Sequence, residues 1–393
     1  MTRKARIGII GAGWWAAHNH IPALRANPDC EIVAVNRLGA AELEALQSKF
    51  EVPQGFEDYR EMLDRVPMDG VVIASPHVLH YEHAVAALDK GCDLLVEKPL
   101  AANLTEADDL IRIAANGSRI LQPGHLERFN PAVLAVEPNL RRPMFFEAHR
   151  LSVFTPRSLD VDVVLDLMIH DLDIVLTFAA SPVREVRAVG LPILSPKVDI
   201  ANVRIEFESG CVANFTASRV STEKVRKLRF FEPRQYVSID YARRDVLVIR
   251  VDPGAKNASQ ADLIASLPPK VAALLPPGIA AAIASGKIDL KKTDPALIAQ
   301  FAAMAGIDPA LIAKLIDPAE PQAGLSFSNP AVTPGEPLRL EILSFLESVR
   351  TRREPRVTAR QGRNALALAL EIQAAMAAHA RRAGLEDFFA PGG

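Results

Sequence analysis

The sequence predicts an α/β protein of two domains, the first built on a parallel sheet and the second an α+β domain with an open antiparallel sheet. Three observations support this fold class. Over the first 125 residues, short apolar runs alternate with helical patterns, as expected for parallel strands joined by crossover helices. A glycine-rich turn follows the first apolar run. After Gln122, segments of period 2 are separated by tight turns, which is typical of antiparallel strands.

The N-terminal domain is assigned to residues 1–125, and its elements follow from the apolar patterns. Strands are predicted at Arg6–Ile10, Glu31–Val35, Gly70–Ala74, Asp93–Val96 and Arg119–Leu121. Helices are predicted at Trp15–Ala26, Ala40–Lys49, Tyr59–Arg65, His80–Lys90 and Thr105–Asn116. Gly91 is expected to end the fourth helix. Thr105 and Asp108 are expected to form a capping box at the start of the fifth.

The C-terminal domain is assigned to residues 126–393. Helices are predicted at Pro131–Val136, Val161–Phe178, Leu338–Arg350 and Ala359–Arg382. Strands are predicted at Ala201–Phe207, Cys211–Ser218, Lys227–Phe231, Gln235–Asp240 and Val246–Val251. A proline- and alanine-rich insertion at about 253–335 separates the last strand from the last helices, and D-P-A-L-I-A occurs in it at both Asp294 and Asp308. Because Asp followed by Pro favours the start of a helix, short helices are predicted there.

Composition excludes several classes of function. The 45 Lys and Arg residues nearly balance the 47 Asp and Glu residues, giving a formal net charge of -2. This balance provides no basic surface for nucleic acid or for a membrane. The three cysteines are odd in number and far apart, which argues against disulfides and favours reduced thiols in a cytoplasmic protein. No apolar run is long enough to predict a membrane-spanning helix.

The first apolar run leads into the sequence G-A-G-W-W-A, which begins at Gly11 and has the pattern G-x-G-x-x-A. In such a turn Gly11 permits the tight bend, Gly13 lets a pyrophosphate approach the backbone, and Ala16 allows the helix to pack closely. The following helix directs its N-terminus at the phosphates. The turn therefore predicts a Rossmann dinucleotide site with Gly11, Gly13, Trp14 and Trp15 at the cofactor; a turn that serves packing alone is the alternative.

The residues after the second strand bear on which dinucleotide is bound. A carboxylate normally holds the adenosine ribose of NAD at this position. Here the strand is followed by Asn36 and Arg37, and the next carboxylate is Glu42. Arg37 can bind a 2′-phosphate or stack on adenine, and Asn36 can bond a ribose hydroxyl. We expect NAD as the cofactor, with NADP tolerated.

Histidines recur in two places. His77, His80 and His83 form an H-x-x-H-x-x-H pattern, but only the last two share a helix, so we predict no metal site. In the helix around residue 170, Asp166 and His170 are four residues apart and lie on one polar stripe. A carboxylate one turn from a histidine can orient the ring and raise its basicity, so this pair is a candidate acid–base unit.

Two further segments carry a resemblance to a known family. S-P-H-V-L-H runs from Ser75 to His80, and E-K-P-L-A starts at Glu97. Their succession resembles the glucose–fructose oxidoreductase, inositol dehydrogenase and rhizopine-catabolism (Gfo/Idh/MocA) family. The resemblance implies that the nicotinamide contacts Ser75, Pro76, His77, His80, Glu97 and Lys98. It also implies that Lys98 and His170 act on the substrate, with Asp166 orienting the histidine.

Physical chemistry agrees with this role of Lys98. Open α/β sheets bind ligands beyond the carboxyl ends of their strands, which is where this lysine is predicted to lie. A cationic nicotinamide beside it would destabilise the ammonium ion, and the amine can then hydrogen-bond a substrate hydroxyl. We therefore expect Lys98 to be a catalytic residue.

The segment G-H-L-E-R-F-N-P from Gly124 is similar to a stretch of the same family and implies that Arg128 and Asn130 bind substrate. With the helix around His170, it most resembles the nucleotide-sugar branch. This implies oxidation of the 3-hydroxyl of UDP-N-acetylglucosamine to a 3-keto sugar, a precursor in lipid A biosynthesis. A uronate substrate would require a cation, for which Arg128, Arg150 and Arg157 are candidates.

Two other readings remain open. One is a dehydrogenase of another sugar, of inositol or of a UDP-sugar uronate within the same family. The other is a non-enzymatic regulator that senses a dinucleotide, since a fold does not define a function. Intact Lys98, Asp166 and His170 argue against the regulator. By the same resemblance, the antiparallel sheet is expected to mediate a homodimer or homotetramer.

Overall fold

The computed structural model describes residues 3–155, 161–252, 294 and 324–385. Two sheets organise these residues, one of six strands and one of eight. The six-stranded sheet is parallel and has the order β3-β2-β1-β4-β5-β6. Its strands are β1 Ala5–Ile10, β2 Cys30–Asn36, β3 Gln54–Phe56, β4 Gly70–Ile73, β5 Asp93–Glu97 and β6 Leu121–Gly124. This is the doubly wound order whose strands end at a ligand-binding crevice, so the predicted Rossmann fold is confirmed.

Helices connect these strands across both faces of the sheet. They are α1 Ile21–Arg25, α2 Ala40–Phe50, α3 Tyr59–Arg65, α4 His80–Asp89 and α5 Leu104–Asn116. A π-helical turn, Ala16–His20, precedes α1 and replaces the start of the predicted continuous helix. Gly91 has a φ of 78° just after α4, as a helix stop requires.

Three local predictions in this domain need correction. The short strand β3 was not predicted, because three residues carry too little alternation to be recognised. The sixth strand starts at Leu121 rather than Arg119, since Ser118 turns the chain with a φ of 52°. The cap of α5 is Asn103, whose side chain accepts from the Glu106 backbone N–H, and not Thr105.

The second sheet has the order β14-β13-β12-β11-β7-β10-β9-β8. Its strands are β7 Phe145–Leu151, β8 Val183–Leu191, β9 Ile200–Phe207, β10 Val212–Ser218, β11 Val225–Glu232, β12 Gln235–Asp240, β13 Asp245–Asp252 and β14 Gly324–Ser328. The predicted antiparallel meander is present, but β7 runs parallel to β10, so the sheet is mixed. Neither β7 nor β8 was predicted; in β7 a buried, inward-facing Arg150 interrupts the apolar alternation.

Four α-helices lie in the described residues that follow β6. They are α6 Pro131–Val136, α7 Ile169–Ala179, α8 Pro337–Thr351 and α9 Ala359–Ala383. A π-helical segment, Val164–Met168, leads directly into α7. Helices α7 and α9 pack against each other, and α9 also lies against β8. Together they bury one face of the mixed sheet, which includes Val203, Phe215 and Phe230.

Helix α8 comes long after residue 125 in the sequence but packs against the N-terminal sheet. Its buried residues Leu338, Ile342 and Phe345 share a core cluster with Ile7 of β1 and Val72 of β4. The C-terminal part of the chain therefore completes the core of the parallel sheet. Of the insertion predicted to form short helices, the structure describes Asp294 and residues 324–335. Gly324–Ser328 is strand β14, paired with β13, so the helical prediction is wrong for that part of the insertion. Both D-P-A-L-I-A repeats apart from Asp294 lie outside the described residues.

Candidate active site

The glycine-rich turn has the geometry that a dinucleotide requires. Gly11 has a φ of 81°, and a Cβ there would lie 2.5 Å from the backbone of Ser75, so no larger residue fits. A Cβ on Gly13 would instead have no neighbour closer than the Gly11 carbonyl oxygen, 4.0 Å away. The backbone of Gly13 therefore faces open space at the carboxyl edge of the sheet. This cradle fits the pyrophosphate of NAD.

The two tryptophans after the turn differ in role. Trp15 donates from Nε1 to the Glu97 carboxylate at 2.8 Å, and His20 Nε2 contacts the same oxygen at 2.6 Å. Burial alone would raise the pKa of Glu97, but His20, Trp15 and Lys98 lower it overall. Trp15 and Glu97 thus tie the glycine turn to β5. Trp14 is 55% exposed and stacks on His18, with ring centroids 4.5 Å apart, so its indole is available at the site's edge.

Asn36 and Arg37 both turn inward at the end of β2. The Asn36 amide donates to the carbonyls of Phe56 and Glu57 and accepts from the Gly11 N–H at 3.3 Å. It clamps the turn, which leaves little of its amide for a ribose. Arg37 donates from Nη1 to the Ala12 carbonyl at 3.0 Å.

The segment after β4 also has a bracing function. His80 is buried, its Nδ1 lies 2.8 Å from the Pro99 carbonyl oxygen, and its Nε2 lies 2.9 Å from that of Ser75. Both ring nitrogens are used within the protein, so His80 positions the loops around the nicotinamide end instead of touching a ligand there. Ser75, Pro76 and His77 are at least partly exposed beside it.

Lys98 joins the two domains at the centre of the site. Its Nζ donates to the carbonyl oxygens of Asp166 at 2.6 Å and Leu165 at 3.2 Å, and lies 3.6 Å from Asp166 Oδ1. These carbonyls belong to the π-helical segment Val164–Met168, a distortion frequent at functional sites. Burial lowers the pKa of Lys98, opposed by Asp166 and Glu97. The peptide bond between Lys98 and Pro99 is cis.

His170 is half-buried, one residue into α7. Burial lowers its pKa well below the ordinary value, and the positive charges of Lys98 and Arg150 add to the effect. The ring is therefore neutral at neutral pH and can accept a proton. Its Nδ1 has no hydrogen-bond partner in the described part of the chain. The Asp166 carboxylate, expected to orient this ring, accepts no hydrogen bond from Nδ1 of His170, and its Oδ1 instead lies 3.6 Å from Lys98 Nζ.

The residues expected to bind substrate are mostly internal. Arg128 is buried, donates to Thr177 Oγ1 at 2.6 Å and faces Asp173 at 3.6 Å. Asn130 is buried, and its side chain accepts from the Ala132 N–H as the cap of α6. Both support the junction between the sheets, which corrects their assignment as substrate ligands. Arg157 lies outside the described residues.

A buried ion-pair network behind His170 was missed by sequence reasoning. Arg150 forms a bidentate pair with Asp171 at 2.7 and 3.0 Å, and its third contact is Glu127 at 3.1 Å. Asp171 follows His170 directly, and this adjacency was the only available signal. Because both carboxylates saturate its guanidinium, Arg150 is not a free cation for a uronate.

Glu57 was also missed, because β3 was not recognised. Phe56 of β3 pairs with Asn36 of β2, so Glu57 follows at the level of Arg37. Its carboxylate accepts from the Gly39 N–H at 2.9 Å. An acidic group therefore does lie at the end of β2, although it comes from the neighbouring strand.

Within the described ranges, no group of three or more His, Cys, Asp or Glu side chains is arranged to hold a metal ion. Over the same residues, no helix has the length and apolarity to cross a membrane.

A doubly wound sheet, a glycine cradle and a lysine–histidine pair at its carboxyl edge define the class of NAD-binding oxidoreductases. Family models agree with this class. Residues 5–125 match the "oxidoreductase family, NAD-binding Rossmann fold" model, and residues 133–234 match the C-terminal domain model of the same family. The chain belongs to the Gfo/Idh/MocA oxidoreductase family.

Individual relatives are consistent with this membership. UDP-N-acetylglucosamine 3-dehydrogenase from Acidithiobacillus ferrooxidans is 35% identical over 242 residues, covering 60% of this chain and 74% of the relative. Its crystal structure superposes with a TM-score of 0.74 at 26% identity, covering 96% of this chain and 99% of the other. Inositol 2-dehydrogenase from Acidothermus cellulolyticus is 28% identical over 197 residues, covering 48% of this chain and 57% of the relative.

Proposed function

We propose that the protein is an NAD-dependent dehydrogenase that oxidises the 3-hydroxyl of UDP-N-acetylglucosamine to a 3-keto sugar. The main supporting observation is that Lys98 donates to a carbonyl oxygen of the π-helical segment that precedes His170. This contact brings an amine and a neutral imidazole to one edge of the cofactor cradle. The sugar is supported by the similarity to the 3-dehydrogenase from Acidithiobacillus ferrooxidans. A role in lipid A and lipopolysaccharide biosynthesis follows from that substrate. The buried free thiols support a cytoplasmic setting.

The residues divide the chemistry between them. Bound NAD⁺ would accept the hydride that leaves the carbinol carbon. Lys98 binds the hydroxyl oxygen, because its Nζ has a donor left after its two carbonyl bonds. The neutral His170 ring takes the hydroxyl proton. Glu97 holds Trp15 and His20, which keeps the glycine turn and β5 in register.

A turnover assay tests this proposal. Purified protein with NAD⁺ is given UDP-N-acetylglucosamine, its uronic acid, free N-acetylglucosamine and myo-inositol in turn. The formation of NADH is followed by its absorbance. The proposal requires reduction with UDP-N-acetylglucosamine and formation of the 3-keto product by mass spectrometry. Reduction with inositol or a free sugar alone would assign a different substrate. Absence of any turnover with intact NAD⁺ binding would favour the regulator.

The local structure supports NAD⁺ over NADP⁺. The Glu57 carboxylate is bonded to Gly39 two residues after Arg37, and a Cβ on Gly39 would lie 2.4 Å from Glu42 Oε2. Two carboxylates thus converge on the turn next to the expected ribose. They repel a 2′-phosphate and can accept from a ribose hydroxyl, while Arg37 is drawn back to Ala12.

We therefore expect a preference for NAD⁺ that Glu57→Gln weakens, because the substitution removes a charge and keeps the shape. The measurements are kcat/KM and the dissociation constant of each cofactor, with Glu51→Gln, an exposed carboxylate paired with Arg25, as the matched control. A tenfold preference of the wild type for NADP⁺, about 1.4 kcal/mol, would contradict this and assign Arg37 to the phosphate.

We also propose self-association as a homodimer or homotetramer through the outer face of the mixed sheet. The supporting observation is an aromatic cluster there: Phe231 contacts Phe145 and Tyr236 with ring centroids 5.4 and 5.1 Å apart. Phe231 is 36% exposed. Aromatic side chains of this kind are enriched at protein interfaces.

A further inference from the structure

We propose that Arg226 is a substrate-binding residue that selects substrates with an anionic group, a phosphoryl or a carboxylate, close to the oxidised carbon. This inference rests on the proposed function, since it concerns the substrate that His170 and Lys98 act upon. Neither the glycine cradle nor the lysine–histidine pair explains why an arginine is placed here.

The position of Arg226 follows from the register of the mixed sheet. Strands β11 and β7 are antiparallel, and Arg226 pairs directly with Arg150. Arg150 is buried on the inner face, against α7, so Arg226 lies on that face as well. Arg226 is only half-buried, which means that the inner face opens to solvent at this point. Arg150 binds Asp171, the residue that follows His170, so this part of the inner face lies next to the segment that carries His170.

Arg226 is electrostatically coupled to the catalytic residues. Its charge contributes to the lowered pKa of His170. In turn, burial lowers the pKa of Arg226, and the charge of Arg150 adds to this, with Glu127, Asp171 and Asp166 opposing. Arg226 therefore lies near the reacting atoms without belonging to the ion pairs behind them.

The two paired arginines differ in their contacts. Arg150 uses its guanidinium on Asp171 and Glu127, at distances of 2.7 to 3.1 Å. Arg226 has no such hydrogen bond or ion pair with any described residue, and its buried Nε lacks a partner. Like charges directly opposite each other on neighbouring strands are destabilising. A buried donor without a partner adds to that cost.

An anionic ligand would resolve both costs at once. A phosphoryl or carboxylate group accepts two parallel hydrogen bonds from a guanidinium, which satisfies Nε and neutralises the second charge. The inositols and free neutral sugars have no such group. A protein that acted on neutral polyols would gain nothing from an unpaired arginine beside its base.

The test compares anionic and neutral ligands in Arg226 variants. Arg226→Met removes the charge, Arg226→Lys keeps the charge without the bidentate fork, and Arg229→Met is the matched control. Arg229 lies on the same strand but faces outward, where it meets Glu147 at 3.5 Å. Each variant is first checked by its melting temperature, which should not fall below that of the wild type, and by its dissociation constant for NAD⁺, which should match the wild type.

Binding of UDP, UDP-N-acetylglucosamine, glucuronate and myo-inositol is then measured by calorimetry in the presence of NADH. We expect Arg226→Met to weaken the anionic ligands about 10- to 100-fold, as the loss of one hydrogen bond to a charged group predicts. The affinities of Arg226→Lys for these ligands should lie between those of the wild type and of Arg226→Met. Arg229→Met should leave every affinity unchanged. A larger loss of affinity for UDP than for glucuronate would indicate that Arg226 binds a phosphoryl group. The reverse would indicate that it binds a carboxylate.

Unchanged affinity for every anionic ligand in Arg226→Met would overturn the inference. Equal weakening of myo-inositol would also overturn it, because it would indicate a general disturbance of the site. The proposed function is judged separately, by wild-type turnover of UDP-N-acetylglucosamine. A wild type that does not oxidise this sugar but binds another anionic one through Arg226 would reject the function and keep the inference.

Discussion

At the scale of single residues, the amine of Lys98 is held mainly by two backbone carbonyls, with a carboxylate oxygen only at 3.6 Å. Charge-assisted hydrogen bonds to the two carbonyl oxygens fix the position of the ammonium and leave its positive charge in place. One N–H of Nζ remains as a donor. This arrangement suits a residue that binds the oxygen of a substrate hydroxyl.

Lys98→Met should lower kcat by at least about 100-fold, the usual contribution of a general acid or base. NAD⁺ binding should survive, because the pyrophosphate is held by the turn at Gly11 and Gly13. Steady-state kinetics and a fluorescence titration with NAD⁺ measure the two effects. The control is Lys90→Met, a surface lysine paired with Asp64 at 2.6 Å. Near-wild-type turnover of Lys98→Met would remove this residue from the mechanism.

His170 determines the expected pH dependence. A base acts when neutral, and its pKa is well below the ordinary value of 6.5. The rate should therefore rise with pH only well below 6.5 and should be constant through neutral pH. His170→Ala should lose this rising limb, whereas His149→Ala, on the outer side of the mixed sheet, should keep it. A profile of kcat/KM between pH 4.5 and 8 that is unchanged in His170→Ala would exclude this histidine as the titrating base.

At the scale of elements, the sequence patterns did not predict the short and distorted segments. The patterns predicted α3, α6 and β12 with their observed bounds, because their apolar faces are regular. They did not predict the π segment Val164–Met168, since a π turn has no composition of its own. This distortion matters at the site, because the carbonyl oxygens of Leu165 and Asp166 within it accept from Lys98.

The predicted binding residues also differ in how far along the chain their contacts lie. Gly11 and Gly13 were predicted to form the cofactor cradle from the local sequence, and the structure has the tight turn and the open backbone that this prediction requires. Arg128 and Asn130 were predicted to bind substrate from the resemblance of their segment to the family, yet their contacts include Asp173 and Tyr241, which are distant in sequence. Long-range partners of a polar side chain cannot be read from its neighbours in the chain.

Helix α8 carries a buried carboxyl group that governs an expected pH effect on stability. Glu341 is fully buried, neither carboxylate oxygen has a hydrogen-bond partner among described residues, and burial raises its pKa well above the ordinary value. The folded form then binds a proton that the unfolded form has lost above about pH 4.5. Stability is therefore greatest at low pH with respect to this group, and falls as pH rises toward the folded-state pKa.

Glu341→Gln cannot ionise and should remove this fall. We expect its melting temperature to exceed that of the wild type by an amount that grows between pH 5 and 8. The free energy involved is about 1.4 kcal/mol for each pH unit between the two pKa values. Glu347→Gln, an exposed position on the same helix, is the control. A constant difference at all pH values would show that Glu341 does not titrate in this range.

At the scale of the whole molecule, the outer face of the mixed sheet is the expected contact between subunits. Light scattering at micromolar concentration should give the mass of a dimer or tetramer. Phe231→Glu should lower that mass, because it places a charge in the cluster with Phe145 and Tyr236. Glu206→Gln, on the same sheet but paired with Arg184, should leave it unchanged. A monomeric wild type would contradict the proposed assembly.

Helix α8 also has a consequence for the order in which the chain folds during synthesis. The cofactor sheet ends at Gly124, but Phe345, whose ring lies against Gly70, is made about 220 residues later. At about 5–20 residues per second, that interval is roughly 10–40 s on the ribosome. Throughout it, the apolar surface around Ile7 and Val72 lacks its cover. The nascent nucleotide-binding half must therefore wait for the end of the polypeptide, and a gene fragment that encodes this half alone should yield aggregated protein unless α8 is grafted onto it.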